Sequence, residues 1–341
     1  MRFAGLILAV ISFFSVRAFA SIGLVVGEPF GGFGTMAPVG HAGIYLDHIC
    51  AESPTQLRPC RPGELGVVIA RYHDIKATQL DWLAYPVSTY LYGVSNPSQA
   101  PSFITHELEV SIRNDYWRAH LQLEAPGRID SAGNLLPPKY GDWEEGIGAA
   151  FDRRLLIYTI DTTPEQDAAI IALLNSDSDH RRYKIARNNC ADFAAQILSS
   201  VLPREHPSIL SRNIAADWGI ATPKNLARRL DTFALAHPEL HPRVYEIPQL
   251  PGTLRRSRPL RGCAETFVKT KRYIFTFGII QPELELADWI LYEAKGRWTP
   301  GLDALTLSPS EWNSEVTAYA PPSSRSTSSR TASEGIGFFA K

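Results

Sequence analysis

Between Tyr183 and Val201 the chain reads YKIARNNCADFAAQILSSV, and this stretch constrains the fold more than any other. Two asparagines, Asn188 and Asn189, supply N-cap chemistry, and Phe193, Ala194, Ile197, Leu198 and Val201 then recur at helical spacing along one face. The pattern predicts a half-buried helix with Cys190 in its first turn. Unpaired N–H groups and the positive end of the helix dipole favour a thiolate there, by ~0.3–1 kcal/mol and up to ~2 kcal/mol when partly buried. Cys190 is thus a candidate nucleophile, with Asn189 as helix cap and support for an oxyanion. The alternative is that Cys190 is one more small core residue, as most free cysteines are.

A histidine stands at the mouth of a second apolar segment, Gly40-His41-Ala42-Gly43-Ile44-Tyr45-Leu46. Alternation along a strand puts His41, Gly43 and Tyr45 on one face and Ala42, Ile44 and Leu46 on the other. A cysteine in the first turn of a helix with a histidine on a separate strand is the layout of papain-like nucleophilic catalysis. The histidine takes the thiol proton, the sulfur attacks a carbonyl, a third polar group fixes the ring, and backbone N–H groups receive the developing oxyanion.

GHAGIYL followed far downstream by Y-x-I-x-x-x-N-C-x-x-F resembles the permuted papain-like group, which includes the lecithin:retinol acyltransferase-like proteins and the permuted NlpC-type peptidases. The matching residues are Gly40, His41, Gly43, Ile44 and Tyr45, then Tyr183, Asn189, Cys190 and Phe193. The resemblance covers roughly residues 22 to 202 and nothing after them. It implies an α+β fold in which the cysteine helix packs on an antiparallel sheet, with helical insertions and an irregular C-terminal extension. It also implies catalysis by Cys190 and His41 without metal or cofactor. The third position departs from the family pattern, because the insertion holding Cys50 and Cys60 intervenes; Glu64, Arg71, Tyr72 and His73 are the candidates, and His73 has the right chemistry.

Compartment follows from the first twenty residues: Arg2, an apolar run from Phe3 to Val16, and Ala18-Phe19-Ala20 before Ser21 make a secretory signal peptide. The run is short of the ~20 apolar residues that span a bilayer, although Arg17 beside the cleavage site leaves an uncleaved anchor open. The expected mature chain starts at Ser21 and belongs to the periplasm or cell envelope of a bacterial-type exporter. Without Arg2 and Arg17 it carries 32 basic and 35 acidic residues, a formal charge of −3 that argues against a nucleic-acid partner. Export permits a disulfide, and Cys50 and Cys60, flanking a proline-bearing loop, are the expected pair. Cys190 and Cys263 are then left over, and a bridge between them would remove the nucleophile.

Thr163-Pro164-Glu165-Gln166 opens a helix with a capping box, and Thr222-Pro223 opens another. Residues 102 to 121 read as a long helix with Ile104, Leu108, Val110, Ile112 and Trp117 on its apolar side. Residues 126 to 148 read as an exposed excursion in which Asp142, Glu144 and Glu145 form no supported carboxylate pair. The expected domains are a signal peptide (1–20), a papain-like domain (21–238) with an insertion around 74–150, an extension (239–320) and a disordered tail (321–341). Arg255, Arg256, Arg258 and Arg261 form a basic run, ordinarily a solvated surface and alternatively a peripheral contact with anionic lipid. The expected activity is a thiol hydrolase or acyltransferase acting on a cell-wall peptide or a lipid acyl group. The alternative is a non-catalytic envelope binding module on the same fold.

Overall fold

Ala20–Gly27 (β1) is buried along its whole length on both faces, the signature of a strand with neighbours on each side and layers above and below. The computed structural model describes residues 20–30, 39–72, 82–138, 142–176, 183–202, 209, 212–268 and 299–319. After β1 come His41–Leu46 (β2), a hairpin of Ile49–Ser53 (β3) and Gln56–Pro59 (β4), then Val67–Arg71 (β5) and Trp82–Pro86 (β6). Helices Val87–Tyr92 (α1) and His106–His120 (α2) follow, then a two-residue hairpin, Arg128–Ile129 (β7) with Leu135–Leu136 (β8), and helix Ala149–Asp152 (α3). Leu155–Thr162 (β9) leads to Pro164–Asn175 (α4), Cys190–Val201 (α5), Ile214–Asp217 (α6) and Pro223–Ala236 (α7). The chain continues through Arg243–Ile247 (β10), Cys263–Val268 (α8), Ala304–Thr306 (β11) and Pro309–Tyr319 (α9).

Seven strands form one sheet in the order β11-β10-β9-β1-β2-β5-β6. Every pairing is antiparallel except β10 with β11, which is parallel, so the fold is α+β around a large mixed sheet rather than a wholly antiparallel one. Residues after 238, expected as an irregular extension, add β10 and β11 to this sheet and bury Trp312 completely. The expected disordered tail, 321–341, lies outside the described residues.

The period-2 pattern splits the core in two. Ile22, Leu24, Val26, Ala42, Ile44, Val67 and Ile69 face α4, α5 and α7 in an aliphatic layer. Val25, Tyr45, Val68, Tyr72, Leu83 and Tyr85 face the other way, against residues of α1, α2, α3 and α9 in a layer rich in aromatics. α5 forms where the 3.6 period predicts, and it buries Phe193, Ile197 and Leu198 in the aliphatic layer at about 1.5–3 kcal/mol each.

Two sequence expectations change. α2 starts at His106 with Thr105 as its cap, but Leu108 and Val110 are exposed and its buried face carries Glu109, Arg113 and Trp117. The two charges can be buried because Arg113 pairs with Glu109 and, at 2.7 Å, with Asp152. The excursion after residue 126 is not exposed throughout: Asp142–Gly146 turns back as a 3-10 helix and buries Trp143 and Glu145.

Candidate active site

The start of α5 is fixed by Asn189. Its Oδ1 accepts the amides of Ala191 (2.9 Å) and Asp192 (3.0 Å), and the Asp192 carboxylate accepts the Asn189 amide in return. Its Nδ2 donates to the carbonyls of Ile185 (2.8 Å) and Ala221 (2.9 Å). Both donors and the carbonyl of the carboxamide are engaged, so Asn189 is a cap and cannot also donate to an oxyanion. Arg212 holds Asp192 at 2.6 Å and completes the corner.

Cys190 follows as the first helical residue, 6% exposed, with its thiol accepting the Ala42 backbone N–H. The last register pair between β2 and β5 is Ile44 with Ile69; past it, the edge of β2 donates to sulfur instead of to a strand. Burial pushes the thiol from 9.0 up to about 11; the Ala42 amide and the helix-start amides of Ala191 and Cys190 pull it down, and Glu145 pushes it up. Two units are worth ~3 kcal/mol against the thiolate. This is what remains after the helix-start amides have acted, so burial outweighs them and the resting side chain is a thiol, not the expected thiolate.

His41 opens β2 at 7% exposure. Its ring stacks on Tyr72 at 5.3 Å between centroids, in the aromatic layer, whereas Cys190 belongs to the aliphatic one. The two side chains leave the sheet on opposite faces, and no hydrogen bond joins them. Burial pushes the imidazole down to about 4; Glu145 acts to raise it and Arg153 to lower it further. Its Nε2 is buried without a hydrogen-bond partner, as is the Tyr72 hydroxyl. A buried polar atom without a partner ordinarily costs ~1–3 kcal/mol, and two of them sit here on stacked rings.

Glu145 links the two faces. It pairs with Arg153 at 2.6 Å, and its charge reaches both His41 and Cys190. Burial alone would raise the Glu145 carboxyl, but Arg153 and His41 hold it below its ordinary range. The sequence placed this residue in an exposed excursion and gave it no role; the signal against exposure was Trp143, an aromatic that an exposed excursion has no reason to carry. On the thiol's own face Arg71 donates to Asn188 Oδ1 and lies 4.9 Å over the Phe193 ring. The fold therefore uses Arg71, one of the candidates for the third position, to hold the loop before Cys190. Tyr90 and Tyr183 also lie within reach of the thiol's charge.

His73 lies outside the described residues. The disulfide forms as expected, Cys50 with Cys60 at 2.02 Å, and Cys190 and Cys263 are both free. Cys50, Cys60 and Glu64 come together as a metal set would, but both sulfurs are spent in the disulfide and Glu64 is held by Arg58 at 2.6 Å. In the basic run Arg255 points inward to Asp152 (2.8 Å) and Glu109 (3.3 Å), leaving Arg256 and Arg258 as the exposed pair. A cleft of about 450 Å³, lined in part by Leu65, Gly66, Ser88 and Asn96, lies at the far end of β2 from Cys190.

No family model matches this chain, and no curated protein matches it. A solved structure, that of a type VI secretion system effector, TseH, aligns over 68% of this chain and 94% of its own at 15% identity and a TM-score of 0.30, too slight a likeness to carry an argument.

Proposed function

We propose that this protein is an exported thiol hydrolase or acyltransferase on a permuted papain-like fold, acting on an amide or ester bond of a cell-wall peptide or lipid acyl group. The observation that carries it is the arrangement at the start of β2: a thiol at a helix N-terminus accepts the amide of Ala42, and the preceding residue, His41, carries a buried Nε2 without a hydrogen-bond partner on the opposite face of the strand. Both groups rest neutral, so His41 works as a general base and not as half of a preformed ion pair. Catalysis requires the imidazole to turn off Tyr72 on substrate entry and to cross to the thiol's face beyond the last β2–β5 register pair. His41 Nε2 then takes the thiol proton as sulfur bonds to the carbonyl carbon. The C–N or C–O bond breaks as the leaving group takes that proton back, and water or an acceptor hydroxyl or amine releases the acyl group from Cys190.

With the Ala191 amide committed to Asn189, the amides of Cys190 and Ala42, which rest on the thiol, are the donors that would turn to the oxyanion once sulfur bonds to carbon. Glu145, fixed by Arg153, stabilises the imidazolium as it forms and fills the third role. The second reading, a non-catalytic envelope binding module, is favoured by the resting geometry itself, in which Cys190 and His41 lie on opposite faces.

Intact-mass analysis after exposure to cell-wall and lipid fractions separates the two. The enzyme reading expects an acyl adduct on Cys190, lost in Cys190→Ser and reduced at least ~100-fold in His41→Gln, with both variants folded. Alkylation of resting Cys190 at pH 7–8 should be slow and should accelerate with substrate present. A folded wild type that forms no adduct with any fraction, and alkylates identically with and without His41, is a binding module.

A further inference from the structure

Ser21 and Asp47 grip each other from both sides. The Ser21 nitrogen lies 2.7 Å from Asp47 Oδ1, its hydroxyl lies 2.7 Å from Oδ2, and the Asp47 amide donates to the Ser21 carbonyl at 3.3 Å. Ser21 is 8% exposed, and its register partner on β9 is Asp161. Asp167 on α4 faces the same corner, its Oδ1 taking the Thr162 hydroxyl. Three carboxylates thus meet here. The basic groups facing them are Arg243, bonded to Asp161 at 2.7 Å, and the imidazoles of His241, on Asp161 at 2.8 Å, and His48, beside Asp47. Among the described residues no cationic side chain makes an ion pair with Asp47, and burial raises its carboxyl while His48, Ser21 and Arg243 lower it. The corner is short of positive charge at the Ser21 nitrogen.

The sequence places a small-x-small site, Ala18-Phe19-Ala20, immediately before that nitrogen. We propose that hydrolysis of the Ala20–Ser21 bond creates the missing cation, an α-ammonium on Ser21 that forms a buried ion pair with Asp47 and locks β1 into the sheet. The C–N bond breaks, water supplies hydroxide to the Ala20 carboxyl and a proton to the Ser21 amine, and the amine takes a second proton from solvent. Ala20 is fully buried and paired with Thr162 in the unprocessed chain, so the cut has to precede folding. Processing then does more than release the leader. It installs a charge that the folded domain is built to receive, and the serine hydroxyl on Oδ2 sets the register of that nitrogen against Asp47.

Three measurements on the exported protein test this. Intact mass should give a chain beginning at Ser21; a chain beginning at any other residue overturns the proposal. Native labelling with an amine-reactive reagent near pH 7.5 should leave the α-amine at least ~10-fold less modified than in the denatured chain, although α-amines, with pKa values of ~7.7–8.0, ordinarily react first. Equal labelling overturns it. Asp47→Asn should lower Tm by roughly 5–10 °C at pH 7, on the scale of a broken buried pair in a domain this size. The α-amino pKa is raised in the folded state, so its stabilisation is complete below the unfolded value and is lost as pH rises through the folded one. The gap between wild type and Asp47→Asn should therefore narrow from about pH 8 to pH 10, above the ordinary range of imidazoles. A gap that stays constant across that window means that Asp47 accepts only an uncharged N–H. The labelling arm decides the case if the variant does not fold.

Discussion

The two faces of the sheet solve the burial problem differently. One packs Ile22, Leu24, Val26, Ile44, Ile69 and Leu198 into an aliphatic layer under α5. The other stacks Tyr72, Tyr85, Tyr90, Trp117 and Trp312 and threads ion pairs among them, Arg153 with Glu145 and Arg113 with both Glu109 and Asp152. An aliphatic layer fixes position through shape, which suits the helix that aims Cys190. The aromatic layer tolerates charge because its guanidinium groups are paired with carboxylates, and a buried charge reaches further than a contact does. His41 sits on the face where its proton affinity can be set, and Cys190 on the face where its position can be.

The sharpest way to break that contrast is to remove one half of a buried pair. Arg153→Met strands Glu145 and should cost about 3–5 kcal/mol in urea unfolding, while adding Glu145→Leu should restore most of it. If the double variant stays as unstable as the single one, shape and not charge governs the aromatic face too. Next in size is the pH response, where the faces oppose each other. His41, depressed to about 4, contributes stability that is lost as pH falls from about 6.5 through 4. Asp167 on α4, raised to about 6 chiefly by burial, contributes stability that is lost as pH rises from about 4 through 6. Thermal melts of Asp167→Asn should therefore steepen the acid limb, and those of His41→Gln should flatten or reverse it, each by roughly 2–3 kcal/mol across the window. Parallel pH profiles for both variants would erase the distinction. Smallest is Ile44→Val, which should cost about 1 kcal/mol by chemical denaturation and leave the pH profile unmoved.

What could be read from the chain was whatever rests on local periodicity. α5, the capping box at Thr163 and Gln166, the strand at His41 and the Cys50–Cys60 bridge all follow from neighbours within ten residues. Glu145 could not be read that way, since its partner Arg153 and its neighbour His41 come from different elements and only the tertiary fold joins them. α2 misled for a related reason: its apolar residues Leu108 and Val110 stay in solvent because the buried side is held by ion pairs, which a count of hydrophobic spacing ignores. At Cys190 the local rule was sound and lost on magnitude, because a helix-end effect of ~0.3–2 kcal/mol is smaller than the cost of burying the charge.

The central position of β1 has a kinetic consequence. One neighbour, β2, follows it closely, but the other, β9, does not begin until Leu155, and β10 and β11 add to the sheet only beyond that. Long-range pairing of this kind makes closure slow, because the entropy of a large loop must be overcome before any contact rewards it. Completion of the sheet therefore waits for the chain beyond Leu155, whereas the pairings of β1, β2, β5 and β6 need only residues up to Pro86.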